Sequence, residues 1–294
     1  MTDLVNEPSR LSLALDSTRL WVKRLSANRS FLLGAILFGG ICLFTLAAPL
    51  LTSVDPNALS VRNRFKPPSE LYLFGTDNLG RDMLSRVLNG ARLSLGIGFA
   101  VVILNAVFGV FLGAIAGYYR RLDDLLMRIA DALMAFPAVL LAIGIAAALG
   151  PSAATAIIAL AVVYIPRTAR VVRASILVAR ELDYVQAARA AGARDGRILW
   201  HHIMPNCMAP LIVQLSFVFA YAVLSEAVLS FLGLSAPPTV PSWGVLIAEG
   251  RTYLREAAWL TVIPGLAIAI TVLGLNLLGD GLRDVLDPRM KVEQ

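Results

Sequence analysis

The chain has 294 residues, of which 57% are hydrophobic and only 16% are charged. Soluble domains carry about 25% charged residues, so this composition excludes an ordinary soluble domain and indicates an integral membrane protein. The formal net charge is +6. The arginines lie between apolar segments, however, and no basic patch with interleaved aromatic residues occurs, so we exclude a nucleic-acid partner.

Six apolar segments follow a polar N-terminal segment. Residues 1–30 are interpreted as a cytosolic segment, in which Leu20, Trp21 and Leu25 form the apolar side of a short interfacial helix. Each apolar segment is near the length of about 20 residues that a helix needs to cross a bilayer. The six segments are 31–54, 93–118, 129–149, 152–172, 208–232 and 258–278. The sequence therefore predicts an all-α integral membrane protein with six transmembrane helices over residues 31–280.

Lysines and arginines decide the orientation of these helices in the membrane. With the N-terminus in the cytosol, the inside segments hold 18 of the 26 lysines and arginines. Because six is an even number, the C-terminal tail, residues 281–294, is predicted to be cytosolic as well. The outer loop 55–92 carries six of the remaining eight basic residues, which is a heavy positive charge for the outer side.

The second span contains Gly109, Gly113 and Gly117. This repeated spacing of small residues permits another helix to approach closely. We expect the glycine face to contact another helix of the same chain or a helix of a partner subunit.

The third span contains a proline and an acidic residue. Pro137 is expected to kink the helix, and Asp131 has Arg128 as a candidate partner three residues earlier. The segment 120–128 before this span has mixed charge and is interpreted as a solvated turn.

The fifth span contains Glu226, with Gln214, Ser216 and Tyr221 on the same segment. A lone carboxylate at this depth costs about 3 kcal/mol or more, so it is expected to face protein or water rather than lipid. Two interpretations remain open. Glu226 makes a structural hydrogen bond to another helix, or the four side chains line a translocation path.

The segment 183–206 between the fourth and fifth spans is polar and rich in arginine. Val185, Ala188 and Gly192 have the spacing of one narrow helix face with small side chains. Gly192 also suits a turn, and Pro205 is expected to interrupt a second short helix before the next span. The pattern predicts a cytosolic helix, turn and helix. The alternative is a basic loop that only obeys the positive-inside rule.

Seven positions of this segment resemble the EAA loop of the inner-membrane permeases of ATP-binding-cassette importers. They are Gln186, Ala187, Ala188, Gly192, Ile203, Met204 and Pro205. The resemblance implies that this coupling loop, residues 173–206, docks into a groove of a cytosolic ATPase. Gln186 stands where the family has glutamate and Met204 where it has leucine, so a salt bridge from position 186 is not expected.

Three further stretches are similar to the shorter permease of the peptide and nickel importer subfamily. They are GTDNLGRDMLSRVLNGARLSL at 75–95, SEAVLSFLGLSAPPTVPSWGVLIAEG at 225–250 and NLLGDGLRDVLDPR at 276–289. The resemblance implies a type I importer permease in the bacterial inner membrane. It also implies a second homologous permease, two ATPases, and an external substrate-binding protein that delivers cargo at the outer loop 233–257.

In the stretch 75–95, the spacing of residues alone also supports two interpretations. Met83, Val87 and Leu88 fall on one face of an amphipathic helix, which we expect at the membrane surface. Asp77 and Asp82 are five residues apart and diverge on a helix, so they do not form an acid and base pair.

Motifs for catalysis and metal binding are absent from the sequence. It contains no GxxxxGK[ST] phosphate loop, no HExxH and no GxSxG. His201 and His202 are adjacent and point about 100° apart on a helix, so a metal site with Cys207 is not predicted. We therefore expect no catalytic residue and no cofactor in this chain, with ATP and magnesium in the partner ATPases.

The function predicted from these observations is half of the translocation path for short peptides. Glutathione, nickel complexes and opine-like compounds are the alternative cargoes, because subfamily members that resemble this chain carry them. A self-sufficient secondary transporter or channel is the competing class. Such proteins usually place several ionisable groups in mid-membrane and show internal repeats, whereas Glu226 is nearly alone here and no convincing repeat is found.

Overall fold

The computed structural model describes residues 24–286, and the predicted interfacial helix around Leu20 and the tail beyond 286 lie outside them. The described part is helical, with one isolated bridge between Thr76 and Asp82. We number its helices in chain order. They are α1 (Arg29–Leu46), α2 (Ala48–Leu51), α3 (Met83–Tyr118), α4 (Arg120–Met134), α5 (Ala138–Leu149), α6 (Ala153–Ala179), α7 (Asp183–Ala190), α8 (Asp195–Phe231), α9 (Trp243–Gly250) and α10 (Trp259–Leu286). Two 3-10 turns, Val61–Asn63 and Arg251–Tyr253, lie in the connections.

Five of these helices, α1, α3, α6, α8 and α10, are long and apolar enough to cross a membrane. The helices α4 and α5 make a sixth candidate when they are taken together, but they are bent by 90°. The kink expected at Pro137 is confirmed, and at 90° it divides the predicted span 129–149 between two helices. Pro137 precedes the first residue of α5 with ψ 125°, and its ring and missing N–H exclude the hydrogen bond that would continue α4.

The segment 120–128, interpreted as a solvated turn, is instead the first part of α4. Two ion pairs hold this helix against α6. Arg173 binds Asp123, with 2.6 Å between Nη2 and Oδ2, and Arg170 binds Asp131. The partner of Asp131 is thus on α6, and the expectation that Arg128 fills this role is wrong.

The glycines of the second span lie on α3 and face α6. A Cβ atom on Gly109 would lie 2.7 Å from Cβ of Thr168, and one on Gly113 would lie 2.5 Å from the carbonyl oxygen of Ala169. One on Gly117 would lie 2.9 Å from Cβ of Ile176. Distances below 3.0 Å leave no room for any side chain, so α3 and α6 pack with their backbones close together.

Each end of the helix bundle is named after the short helix that it contains. The α7 end contains the last turns of α3 and α6, the helix α7 and the start of α8. The α9 end contains the first turns of α3 and α10 and the helix α9, where Trp243 donates from Nε1 to the carbonyl of Val87 at 3.1 Å.

A cluster of four charged residues, three of them buried and Glu249 partly exposed, holds the α9 end together. Arg81 and Arg86 both bind Asp77 and Glu249, with N to O distances between 2.6 and 2.9 Å. Two of the six basic residues of the loop 55–92 are therefore neutralised inside the protein. This pairing reduces the positive charge that the loop exposes.

Met83, Val87 and Leu88 belong to the first turns of α3 and are at most 6% exposed. They pack inside the protein, so the expectation of a separate helix on the membrane surface is wrong. Asp77 and Asp82 do not share a helix either. Asp77 lies in the loop before α3, and Asp82 caps α3 by accepting from the N–H of Ser85 at 2.8 Å.

Candidate coupling surface and translocation path

The corner between α7 and α8 is made by a glycine in the left-handed region. Gly192 has φ +79°, a value that costs an L-residue about 1–2 kcal/mol. Its N–H donates to the carbonyl of Arg189 at 3.0 Å, and the N–H of Ala193 donates to the carbonyl of Ala188 at 3.1 Å. These bonds satisfy the last carbonyls of α7, so the helix ends before Gly192.

The inner side of the corner is fully packed. Val185, Ile198 and Ile203 are 0% exposed, and they join Val172 and Ile176 of α6 in one apolar cluster. Met204 is 6% exposed and belongs to the same cluster. Ile203 and Met204 therefore support the corner from within, and the cluster holds α7 rigidly against the bundle.

The predicted face of Val185, Ala188 and Gly192 is not a face of α7. Val185 points inward, Ala188 is half-buried and Gly192 follows the helix. Of the predicted face only Gly192 is exposed, and it belongs with four other exposed residues to what we call the coupling surface. The residues of the coupling surface are Gln186, Ala187, Ala190, Ala191 and Gly192.

Open space surrounds this coupling surface. No atom lies within 4 Å of a Cβ placed on Gly192, and Gln186 donates from Nε2 to the carbonyl of Arg180 at 3.1 Å. Ala190 and Ala191 were missed by the sequence analysis, although the two alanine pairs on either side of Arg189 are the signal that could have found them. Small exposed side chains on a rigid base permit a partner's groove to approach the backbone.

The predicted interruption at Pro205 is wrong, because α8 runs without a break from Asp195 to Phe231. A π-helical turn, Ile198–Ile203, precedes the proline. The carbonyl of His202 accepts from Nδ2 of Asn206 at 2.9 Å and from Oη of Tyr184 at 3.2 Å. A wider helical turn accommodates the missing N–H of proline, and the Tyr184 bond joins α7 to α8.

No metal site is found at this corner. Within residues 24–286, no group of three or more histidine, cysteine or acidic side chains is arranged to hold a metal ion. Cys207 is buried and forms no disulfide bond. Both Cys42 and Cys207 are free thiols.

The four path candidates of the fifth span lie on different sides of α8. Tyr221 is 49% exposed, and Gln214, seven residues earlier and so on the same face, is half-buried. Ser216 is half-buried and packs near Gly279 of α10. Gln214 and Tyr221 thus share a stripe that reaches the surface of the chain.

Glu226 is 0% exposed. Its Oε1 accepts from Oγ of Ser230, one turn later on the same helix, at 2.5 Å, and its Oε2 has no hydrogen-bond partner. Ser94 of α3 and Ser235 also lie close to this carboxyl group, so a structural contact of Glu226 with another helix stays a prediction. A lining role for the four residues stays a prediction.

Sequence models of known families match two parts of the chain. Residues 109–292 match the family described as binding-protein-dependent transport system inner membrane component. Residues 18–68 match the N-terminal transmembrane domain of oligopeptide transport permease C.

Similar proteins cover nearly the whole chain. A Brucella suis protein with the provisional name of peptide transport system permease protein is 58% identical over 93% of each chain. The dipeptide transport system permease protein DppC of Alkalihalophilus pseudofirmus is 46% identical over 92% of this chain and 89% of its own. The di/tripeptide transport system permease protein DppC of Pseudomonas aeruginosa is 43% identical over 90% of each.

The fold is also similar to a solved structure. A chain of the inward-facing MetNI methionine ABC transporter superposes with a TM-score of 0.58 at 20% identity, covering 70% of this chain and 98% of that one. This similarity shows a type I importer permease fold. Together with the family matches, it shows that the chain belongs to the family of inner-membrane components of binding-protein-dependent transport systems, as a permease subunit of an ATP-binding-cassette importer.

Proposed function

We propose that this inner-membrane permease forms half of a translocation path for short peptides and receives the force of ATP hydrolysis through its coupling surface. The other half of the path comes from a second, homologous permease. Two cytosolic ATPases bind ATP and magnesium, and an external binding protein delivers the cargo.

The coupling surface is the observation that carries this proposal. Its small side chains are exposed, while Val185, Ile198 and Ile203 beneath them are 0% exposed. A surface that receives force must not yield locally, and this one rests on the packed cluster shared with α6. A basic loop that served only the positive-inside rule would need neither the rigid base nor the exposed alanines.

The orientation of the chain in the membrane follows from this role of the coupling surface. The α7 end faces the cytosol, together with both termini, and the α9 end faces outward. The buried pairing of Arg81 and Arg86 supports this orientation, because it lowers the exposed positive charge on the outer side. The binding protein then meets the loop 233–257, which contains α9.

The proposal that the cargo is a short peptide is based on the names of the similar proteins. The proteins from Alkalihalophilus pseudofirmus and Pseudomonas aeruginosa are named for dipeptide and di/tripeptide transport. Glutathione, nickel complexes and opine-like compounds are the alternative cargoes. The stripe of Gln214 and Tyr221 is the best placed part of the predicted path, since it reaches the surface where a second permease would complete the walls.

Reconstitution in vesicles tests the proposal. The purified chain alone is expected to show neither ATP hydrolysis nor peptide uptake driven by an ion gradient. Adding the partner permease, both ATPases and the binding protein is expected to produce ATP-driven uptake. Uptake driven by a proton or sodium gradient with this chain as the sole protein would refute the importer function and favour a secondary transporter.

A further inference from the structure

A large cavity lies at the α7 end, beside the coupling surface but distinct from it. Its volume is about 940 Å³, within the range of about 300–1,000 Å³ that is usual for ligand sites. The end of α3, the start of α4, the connection between α6 and α7, Arg189 of α7 and Asp195 at the start of α8 form its walls. The coupling residues Gln186, Ala187 and Gly192 do not line it.

The charge of the cavity is positive. Four arginines line it, Arg120, Arg121, Arg180 and Arg189, against two acidic residues.

Both acidic residues already have partners. Glu181 binds Nε of Arg180 at 3.0 Å, and Asp195 accepts from Oη of Tyr118 at 2.6 Å. Among the residues that the structure describes, Arg120 and Arg121 pair with no carboxylate. Two guanidinium groups are therefore available to an anion.

A helix N-terminus adds to this positive potential. The helix α4 has 15 residues and begins at Arg120, inside the cavity wall. Its N-cap is Tyr119, which provides no side-chain hydrogen bond to the first turn. Uncapped N–H groups and the helix dipole favour an anion at this position.

The surroundings of the cavity are those of a membrane boundary. Tyr118 is the last residue of the spanning helix α3 and Tyr119 follows it, at a position where amphipathic aromatic rings are typical of the interface. Along α4, the apolar residues Leu122, Leu125 and Ile129 are 45–60% exposed. They form one stripe that starts at the cavity.

We propose that this cavity binds the headgroup of an anionic phospholipid, with the acyl chains lying along the apolar stripe of α4. The arginines and the N-terminus of α4 hold the phosphodiester, and the tyrosines mark the level of the headgroup. Basic pockets between spanning helices are suited to such lipids. The site is independent of the cargo and of ATP binding. An acidic surface of the ATPase is the competing occupant, but it would leave the apolar stripe without a partner.

The test uses the full permease assembled with its partner subunits in nanodiscs of phosphatidylcholine. A fluorescent phosphatidylglycerol is titrated in, and its binding is compared with that of fluorescent phosphatidylcholine. We expect preferential binding of phosphatidylglycerol. The double variant Arg120→Gln/Arg121→Gln is expected to weaken it about thirtyfold, since each of the two arginines near an anionic lipid contributes about 1 kcal/mol.

The control is Arg128→Gln, which removes one positive charge, as each single variant does, from an exposed position of α4 outside the cavity. It is expected to bind phosphatidylglycerol as the unchanged protein does. Arg120→Lys/Arg121→Lys keeps the charge and is expected to keep most of the binding. If the double glutamine variant does not assemble, the single variants Arg120→Gln and Arg121→Gln are each expected to weaken binding severalfold.

Three outcomes would overturn the proposal. The first is equal binding of the two lipids by the unchanged protein. The second is displacement of phosphatidylglycerol by inorganic phosphate at similar concentration, which would indicate a site for a free anion. The third is loss of ATPase association in the double variant with lipid binding unchanged, which would assign the cavity to the ATPase.

Discussion

Arg86 on α3 and Glu249 on α9 form an ion pair across 163 positions of the chain, with 2.6 Å between Nη1 and Oε2. Arg86 is 1% exposed, and the same Nη1 lies 2.8 Å from Oδ2 of Asp77. The pair therefore joins three separate segments at the α9 end: the loop before α3, α3 itself and α9.

Replacing Arg86 tests the importance of this pair. Arg86→Met leaves Asp77 and Glu249 to share Arg81 as their remaining cation, and removing one member of a buried ion pair is destabilising. We expect a clearly lower thermal unfolding midpoint of the purified protein in detergent. The control is Arg62→Met in the same loop, where the arginine is exposed. Equal midpoints of the two variants would show that the buried cluster contributes nothing.

The charged cluster at the α9 end also shows which contacts cannot be predicted from the sequence. Asp77 and Arg81 are four residues apart and could have been paired from the sequence. The contribution of Glu249 could not, because 168 positions separate it from Arg81 and no periodicity connects distant segments. Similarity singled out 75–95 and 225–250 as separate stretches, and only folding brings them together.

Close packing of α3 on α6 predicts the effect of a larger residue at Gly113. Gly113→Leu would force its side chain against the backbone of Ala169. Overpacking typically costs about 1–3 kcal/mol, and here the obstacle is backbone, so we expect low yields of membrane-inserted protein. The control is Gly96→Leu on the same helix, where nothing lies within 4 Å of the added Cβ. Similar yields of the two variants, measured by immunoblot of membranes, would contradict the packing.

Two substitutions at Gly192 separate strain from bulk. Gly192→Asn tolerates the positive φ and adds a small side chain, so we expect ATP-driven uptake to be largely retained. Gly192→Trp adds a large side chain to the coupling surface and is expected to abolish uptake while the protein stays in the membrane. Normal uptake by a stably inserted tryptophan variant would show that no partner approaches this surface.

A milder change probes Gln186. Gln186→Glu restores the common family residue but removes the donor to the carbonyl of Arg180. Because the side chain is exposed, we expect membrane assembly and ATPase association to be unchanged. Loss of association in this variant would be incompatible with the coupling surface as defined here.

The orientation in the membrane can be measured by labelling single cysteines. Cys42 and Cys207 are first replaced by alanine, and a cysteine is then introduced at Gly196 or at Thr239, both of which are exposed. A membrane-impermeant maleimide added to spheroplasts is expected to label Thr239→Cys and not Gly196→Cys. Inverted vesicles are expected to give the opposite result. Labelling of Gly196→Cys from outside would overturn the proposed orientation.

Glu226 is tested by its neutral isostere. Burial of a carboxylate without a cation is costly, and Glu226→Gln keeps an acceptor for the hydroxyl of Ser230. We expect a higher unfolding midpoint with unchanged peptide uptake. Glu226→Leu removes the acceptor and is expected to lower the midpoint. Loss of uptake in a stable Glu226→Gln variant would instead assign the carboxylate to the translocation path.

The long spans could be predicted from the sequence because apolar length alone specifies them, as it does for α3, α6, α8 and α10. The shape of the third span could not be predicted. Pro137 signals a break, but the 90° bend depends on Arg170 and Arg173 holding α4 against α6. These pairs join residues that are 39 and 50 positions apart. The partners of the acidic residues could therefore not be found from the sequence, and the mixed charge of 120–128 resembled that of a solvated turn.

The coupling loop shows the same limit on a smaller scale. Helical spacing placed Val185, Ala188 and Gly192 on one face, but the left-handed backbone of Gly192 ends α7 before that face is complete. Whether Val185 points to solvent or to α6 depends on the packing of Val172 and Ile176. Tertiary contacts therefore decided which small residues are exposed.

The unbroken helix α8 has a mechanical consequence. With 37 residues, it is a rod of about 55 Å that begins at the coupling surface and ends at Phe231 on the opposite end of the bundle. A tilt of about 5° at one end of a rod of that length displaces the other end by about 5 Å. A small rotation of α8 at the corner beside Gly192 would therefore displace its Phe231 end by a distance of that order, and in the proposed orientation it would carry a motion from the cytosolic side to the outer side.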